Sequence, residues 1–401
     1  MTTRAVFRFH PVGQGLFYSG IISRDTHKSF SFVYDCGSES DRTFLFREID
    51  DFKRLLPTSS VASKKKINLL VVSHFHDDHV NGMERLFENA TVDTVVIPYM
   101  GDDLRLLARL ESTRTELFLE SFYLDPIGWF SARGVRRVVV VGSDEENRID
   151  DGERLTQSLN TEDRYQRSDA EDDEFIIRGE NRPLSSDIEG TEVLSFPNGL
   201  TGSIAYWQFE FENMKLPKVS DYKRVVEDYL RTKTNKLTIT DVMHSRSLTN
   251  ALAREIKGIL KNGRSVNQTS VMLKHGPMNY VRSDIFFLNG HDRDGLLDID
   301  DYYFMYHHMP STVLTGDIDI SSADAPHVLK GAPIVLQYPH HGANNKGGRF
   351  LSDLRARYYV FSFGISNKYG HPSYGSLQHE KHEKRNVFVN ERSSFDYSIV
   401  I

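Results

Sequence analysis

Apolar and polar residues alternate from the start of the chain. Ala5-Val6-Phe7-Arg8-Phe9 has the period of two expected of a strand with one face in a core. Gly13-Gln14-Gly15 then turns the chain into the apolar stretch Leu16 to Ile22, and a third strand from Ser29 to Tyr34 ends in Asp35-Cys36-Gly37. Helical spacing follows from about Asp41 to Leu56, with Phe44, Phe46 and Ile49 on the apolar side. Ile67-Asn68-Leu69-Leu70-Val71-Val72 predicts a buried strand, Val80 to Glu88 a helix, Thr94 to Pro98 a strand, Leu104 to Phe122 one long amphipathic helix, and Val138 to Val141 another strand. Alternating strands and helices of this kind predict layered α/β architecture.

Residues 143–195 lose this periodicity, gain acidic residues and read as a flexible insertion. Order resumes with a strand over 205–211 and helices over about 219–231 and 246–261. Four later apolar strands are expected: Ser270 to Lys274, Thr312 to Thr315, Pro333 to Tyr338 and Tyr358 to Phe363. No internal repeat is apparent. Gly13-Gln14-Gly15 is not a dinucleotide loop, because it lacks the third glycine and precedes a strand.

The chemistry gathers where these strands stop. Ser73-His74-Phe75-His76-Asp77-Asp78-His79 follows the buried strand 67–72, so His74, His76, Asp78 and His79 fall within six residues. Positions two apart on an extended segment share a face, which lets His74 and His76 grip one metal. Asp78 and His79 lie past the strand and can turn toward a second. Later strands end in Gly316-Asp317, in His340-His341 and in Tyr369-Gly370-His371-Pro372. Strand ends are the usual location of sites in α/β proteins, and imidazole with carboxylate suits zinc, manganese or iron.

Composition narrows the picture only a little. The 401 residues are 39% apolar and 11% aromatic, ample for a core. No run of eighteen apolar residues occurs, and Met1-Thr2-Thr3-Arg4 lacks the apolar stretch of a signal peptide, so a soluble, cytoplasmic protein without a membrane partner is expected. The single Cys36 fits a reducing compartment and reads as a small buried packing residue. Between Asp144 and Glu189 sixteen acids face six arginines, a local balance of −10 within a total of −7, which leaves +3 for the rest. Lys64-Lys65-Lys66, Arg349, Arg355 and Arg357 belong to that basic remainder, so composition permits a nucleic-acid substrate.

With these motifs in view, the sequence resembles the metallo-β-lactamase-fold hydrolases, whose His-x-His-x-Asp-His is matched by His74, His76, Asp78 and His79. The likeness covers most of the chain outside the insertion. Within that superfamily it looks most like the hydrolase domain of bacterial competence DNA-uptake channels and its soluble relatives. The features in common are Val12-Gly13-Gln14-Gly15, Asp35-Cys36-Gly37, Asn267-Gln268-Thr269-Ser270, Leu314-Thr315-Gly316-Asp317, His340-His341-Gly342 and Tyr369-Gly370-His371-Pro372. The resemblance implies a four-layer αββα fold over 1–401, with the acidic insertion 143–195 between two halves and a helical and strand elaboration over 196–265.

It also implies two divalent metal ions, one held by His74 and His76 and the other by Asp78 and His79. Asp317 would bridge them, and one of His340 and His341 would complete the second site. Such metals activate water for attack on a phosphodiester; Asp78 would orient the water, and His371 would contact the phosphate or protonate the leaving oxygen as a cationic imidazole. Asp35 and Asn267 are expected behind the ligands. The branch carries acids where Pro11 and Leu16 stand here, and its membrane channel is absent, so transport is not implied. Asn267-Gln268-Thr269 occupies the place of the superfamily's third histidine, which makes manganese an alternative to zinc; His275 and His244 are the candidate substitutes. The expected activity is that of a nuclease or other phosphodiesterase on DNA or RNA, with a protein partner in a multi-component bacterial system. An esterase or lactonase, or a scaffold subunit with a vestigial metal site, are the alternatives.

Overall fold

The computed structural model describes residues 2–24, 28–58, 64–112, 117–142, 175–183, 188–204, 207–213, 220–232, 237–260, 269–278, 284–287, 310–320, 326–344, 348–378 and 386–401. Among them the strands are β1 (Thr3–Phe9), β2 (Phe17–Arg24), β3 (Lys28–Cys36), β4 (Lys65–Val71), β5 (Ala90–Pro98), β6 (Arg137–Val141), β7 (Ile176–Arg178), β8 (Arg182–Pro183) and β9 (Glu192–Phe196). They continue as β10 (Leu200–Ile204), β11 (Trp207–Asn213), β12 (Val271–Pro277), β13 (Asp284–Phe287), β14 (Thr312–Leu314), β15 (Val335–Gln337), β16 (Tyr358–Ser362), β17 (Asn386–Val389) and β18 (Phe395–Val400). Two mixed sheets result. The first runs β13-β18-β1-β2-β3-β4-β5-β6-β9-β8 and the second β17-β16-β15-β14-β12-β11-β10-β7.

Strands buried on both faces send alternate side chains to different cores. Val33, Leu70, Val72, Val138 and Val140 join Leu45, Ile49 and Phe52 of the helix Arg42–Leu55. Their neighbours Phe32, Tyr34, Leu69, Val71, Val139 and Val141 share a core with Phe209, Leu273, Leu314, Val335 and Val360 of the second sheet. The other face of that sheet, with Met272, Val313, Leu336, Tyr359 and Phe361, packs with Val328, Leu329 and Leu351. No described helix is long and apolar enough to cross a membrane.

Parallel pairing joins β3 to β4, β5, β6 and β9 in the first sheet, and β14 to β15, β16 and β17 in the second. The carboxyl ends of β3, β4, β14, β15 and β16 carry Asp35, the 73–79 segment, Asp317, the 340–341 pair and His371, respectively.

Several elements differ from the sequence reading. The single helix expected over 104–122 is two, Asp102–Glu111 and Leu117–Leu124. Ser112 turns extended after the first, and its hydroxyl donates to Asp77 Oδ1 at 2.7 Å, so a tertiary bond ends the helix. A helix Ile239–His244, which no apolar period announces, is started by a capping box between Thr238 and Asp241. β7, β8 and all but the last residue of β9 fall inside the range 143–195 read as an insertion, and β9 pairs parallel with β6; residues 143–174 and 184–187 of that range lie outside the described residues.

Two glycines let the N-terminal turns press onto the Asp78–His79 backbone. A Cβ at Gly37 would stand 2.5 Å from the Asp78 carbonyl carbon and the His79 nitrogen. One at Gly15 would stand 2.4 Å from the Gly37 oxygen and 2.7 Å from that of Asp78. Leu16 N then donates to the Asp78 carbonyl at 3.1 Å, and Gly37 N to that of Leu16 at 3.0 Å.

Gly37→Ala is therefore expected to destabilise the protein by about 1–3 kcal/mol through overpacking against backbone, measurable by urea denaturation. Truncating the inter-sheet core at Phe32, to Ala, is expected to cost about 3–5 kcal/mol. The exposed Leu55 serves as a control, and its Ala variant should remain within about 0.5 kcal/mol of the parent.

Candidate metal centre

Asp78, His79, Asp317 and His341 are all buried, and each offers a ligand atom within 4.8 Å of the others'. They come from three strand ends. The short helix Asp77–Val80 presents Asp78 and His79, and a turn through Gly316, with φ of +58°, presents Asp317. The Gln337 side chain holds that turn: its Oε1 accepts from Thr315 N at 2.8 Å and Gly316 N at 2.9 Å, while its Nε2 donates to the Gly316 carbonyl. His340 and His341 both adopt positive φ, 51° and 54°, a tight kink that separates the two rings.

Each imidazole has one nitrogen committed to the protein, which fixes its tautomer. The Ser73 hydroxyl donates to Asp35 Oδ2 at 2.6 Å, so it can only accept from His74 Nδ1 at 2.9 Å. His79 Nδ1 donates to Asp35 Oδ2 at 2.7 Å, and His341 Nδ1 to the Ser362 carbonyl at 2.7 Å. In all three rings Nε2 is left as the coordinating nitrogen. His76 is reversed: its Nε2 meets Glu111 Oε2 at 2.7 Å, leaving Nδ1.

The three Nε2 atoms gather around Asp317. His79 Nε2 lies 3.3 Å and His341 Nε2 3.7 Å from its Oδ1, and His74 Nε2 lies 3.9 Å from its Oδ2. Asp78 reaches the same space, with Oδ2 3.0 Å from His341 Nε2 and Oδ1 3.8 Å from His79 Nε2. Three of these buried atoms, His74 Nε2, His79 Nε2 and Asp317 Oδ1, make no hydrogen bond. Unsatisfied polar atoms aimed at one point are what a cation site presents, and nitrogen with carboxylate oxygen fits zinc or manganese.

Burial opposes charge on every member, yet the ion pairs outweigh it. Burial works against a charged His79, but Asp317, Asp35 and Asp78 hold its imidazole well above the ordinary range. Burial would raise Asp317, but His341, His79 and His340 pull it well below the usual carboxylate range; Asp78 is likewise lowered by His79 and His341. His74 goes the other way, pushed well down by burial and then by His79, so it is neutral. A metal ion entering this cluster would have to displace the His79 proton, which makes its affinity depend on pH.

The remaining sequence candidates are placed as follows. His76 stands beside His74, ring centroids 4.9 Å apart, but outside the four-residue group. His341 is in the group, whereas His340 is only part-buried, and its ring centroid is 6.5 Å from that of His341. Asp35, fully buried, accepts from both the backbone and the hydroxyl of Ser73 and from His79. His371 stacks 6.2 Å from His341. Burial, then the neighbouring His341 and His340, push its imidazole down to about 4, so near neutrality it is uncharged instead of the cation expected. Asn267 lies outside the described residues. Neither proposed substitute for the third histidine is near. His275 sits between the sheets against Tyr18 Oη at 2.9 Å, and His244 is exposed on its own helix.

Sequence reasoning passed over Glu111, Ser73, Gln337 and Gln14. Ser73 and Gln337 adjoin quoted motifs and Gln14 lies inside one, but none has a spacing that marks its role. Glu111 is far along the chain, and only the break after it puts it beside His76. Four of the basic groups suggested by composition lie at the far ends of their strands. Lys65 and Lys66 begin β4, about 20 Å of strand from its metal end, and Arg355 and Arg357 precede β16 at the corresponding edge.

No curated protein sequence matches the chain. Residues 19–154, a span from β2 past β6 that includes the whole 74–79 cluster, match the family model described as Metallo-beta-lactamase superfamily. Asp78 and His79 lie within that span and Asp317 and His341 beyond it; the match and the buried cluster together support the metallo-beta-lactamase superfamily and a metal-dependent hydrolase.

Proposed function

We propose that the protein is a metal-dependent phosphodiesterase acting on DNA or RNA. The observation that carries this reading is the buried Asp78–His79–Asp317–His341 group, in which His79 Nε2 and Asp317 Oδ1 make no hydrogen bond, flanked by the part-buried His371. In it, His79, Asp78 and His341 would hold one ion and His74 and His76 a second, with Asp317 placed to offer an oxygen to either. Divalent ions there, zinc or manganese, supply Lewis acidity toward a phosphoryl oxygen and lower the pKa of water. The sheets and their flanking helices are read as the four-layer αββα arrangement of the superfamily.

The chain's own groups supply the rest. Asp78, held ionised by His79 and His341, is an acceptor suited to orient an attacking water. His371 is a neutral donor whose tautomer is set by Gln14. Gln14 Oε1 accepts from Gly364 N at 3.3 Å, which fixes the amide, so its Nε2 donates to His371 Nδ1 at 3.4 Å. The ring proton is thereby on Nε2, ready to donate to a phosphoryl oxygen. Asn367 steadies the residue, accepting from its backbone N at 2.9 Å and donating to its carbonyl at 2.8 Å.

Purified protein is expected to carry zinc or manganese and to hydrolyse bis-p-nitrophenyl phosphate and at least one of single-stranded DNA, duplex DNA and RNA. Chelation should stop all of this. Asp317→Ala should abolish it together with much of the bound metal, as read by elemental analysis. Hydrolysis of esters or lactones with no phosphodiester turnover would refute the reading. Asp35→Asn, which removes the charge behind His79 but keeps the shape, is expected to lower metal affinity or turnover roughly 10- to 100-fold.

A further inference from the structure

We propose that Tyr369, with Lys368 beside it, is a subsite that stacks a nucleobase of single-stranded nucleic acid next to the phosphodiester held at the metal centre. The proposal rests on the phosphodiesterase reading and adds the form of its substrate.

Exposed rings are concentrated at this one place. Of the five large apolar or aromatic side chains standing out among the described residues, Ile365, Tyr369 and Tyr374 fall within ten residues around His371. Tyr369 is 47% exposed, yet it is held at both ends. Its hydroxyl donates to Glu39 Oε2 at 2.7 Å, and its ring stacks on His371 with centroids 5.5 Å apart and planes at 25°. Its backbone N donates to Asn367 Oδ1 at 3.1 Å, the oxygen that also fixes His371. An exposed aromatic ring that is already immobilised loses little entropy on binding, which is the property of a prepared contact surface.

The stack continues inward. His371 lies over His341 at 6.2 Å and 26°, and His341 Nε2 is 3.0 Å from Asp78. Tyr369 is thus the outermost member of a row of rings that ends in the metal cluster. A phosphodiester at the cluster would bring an adjoining base to the level of this row. The Lys368 ammonium, 5.3 Å from the Tyr369 centroid, is exposed and can move from the ring to a flanking phosphate when a base arrives. An aromatic face and a cation together are the pair that single-strand binding uses. In a duplex the base faces are covered by their neighbours, so the subsite favours unpaired strands.

The test is fluorescence anisotropy of the full-length protein with two labelled probes of equal length. One is an oligothymidylate with cleavage-resistant phosphorothioate linkages, and the other has the same linkages but abasic sugars. The wild type should bind the base-bearing probe tighter by about fivefold or more. Tyr369→Ala should erase that difference, and Tyr369→Phe, which keeps the ring and loses the Glu39 bond, should retain it. Equal binding of the two probes by the wild type overturns the proposal, as does a Tyr369→Ala protein that keeps the preference or a Tyr369→Phe protein that loses it. Hydrolysis of bis-p-nitrophenyl phosphate, measured in parallel, reports separately on the phosphodiesterase reading.

Discussion

Three carboxylates, Asp35, Asp78 and Asp317, are withdrawn from water at the edge of the two sheets together with the imidazoles of His74, His79 and His341. Each charge left alone in such a place costs several kcal/mol, and breaking one partner out of a buried pair costs about 3–5 kcal/mol. The cluster is tolerable only as a whole, with every oxygen facing a donor or a cation. Asp35 meets this condition entirely through protein, by Ser73 and His79. Asp317 Oδ1 has no hydrogen bond and faces only the imidazoles of His79 and His341, the difference expected between a carboxylate that supports ligands and one that would be a ligand.

The fold meets the requirement at strand ends because that is where backbone groups run out of ladder partners. Asp35 Oδ1 takes the amide of Ser73 just past β4, and the Gln337 side chain takes the amides of Thr315 and Gly316 just past β14. These side chain-to-backbone bonds do two things at once. They satisfy the chain as it leaves the sheet, and they fix the turns that aim Asp317 and His79. The glycines at 15 and 37 finish the arrangement by letting two further turns lie directly on the Asp78–His79 backbone.

This division explains what could be read beforehand. Strands such as β6 and β16 are legible because alternate residues feed two different cores, so nearly every position is apolar. The residues His74, Asp78, His79 and Asp317 are legible because each follows such a strand directly. The choice of His341 over His340 is not, since a pair of positive φ angles decides it and neither residue type requires one. Glu111 is hidden for a similar reason: helical periodicity runs through Ser112, and only a bond to Asp77 ends the helix there. β7, β8 and β9 are short and lie in or beside an acidic stretch whose composition masks them, and β9 pairs with the remote β6.

The same hydrogen bonds make the two ends of the cluster unequal. His79 is backed by the full charge of Asp35, which raises the basicity of its free nitrogen; His74 is backed only by the Ser73 hydroxyl, whose own proton is already given to Asp35. One carboxylate therefore supports both rings, directly in one case and through a serine in the other. His76 restores some of the balance by pairing with Glu111, but that acid stands at a helix end and is less enclosed than Asp35. Under the proposed function, an ion beside His79, Asp78 and His341 would meet a buried, ionically supported set, and one beside His74 and His76 a less strongly supported one. The asymmetry follows from which side chains end up behind the ligands, not from the ligands themselves.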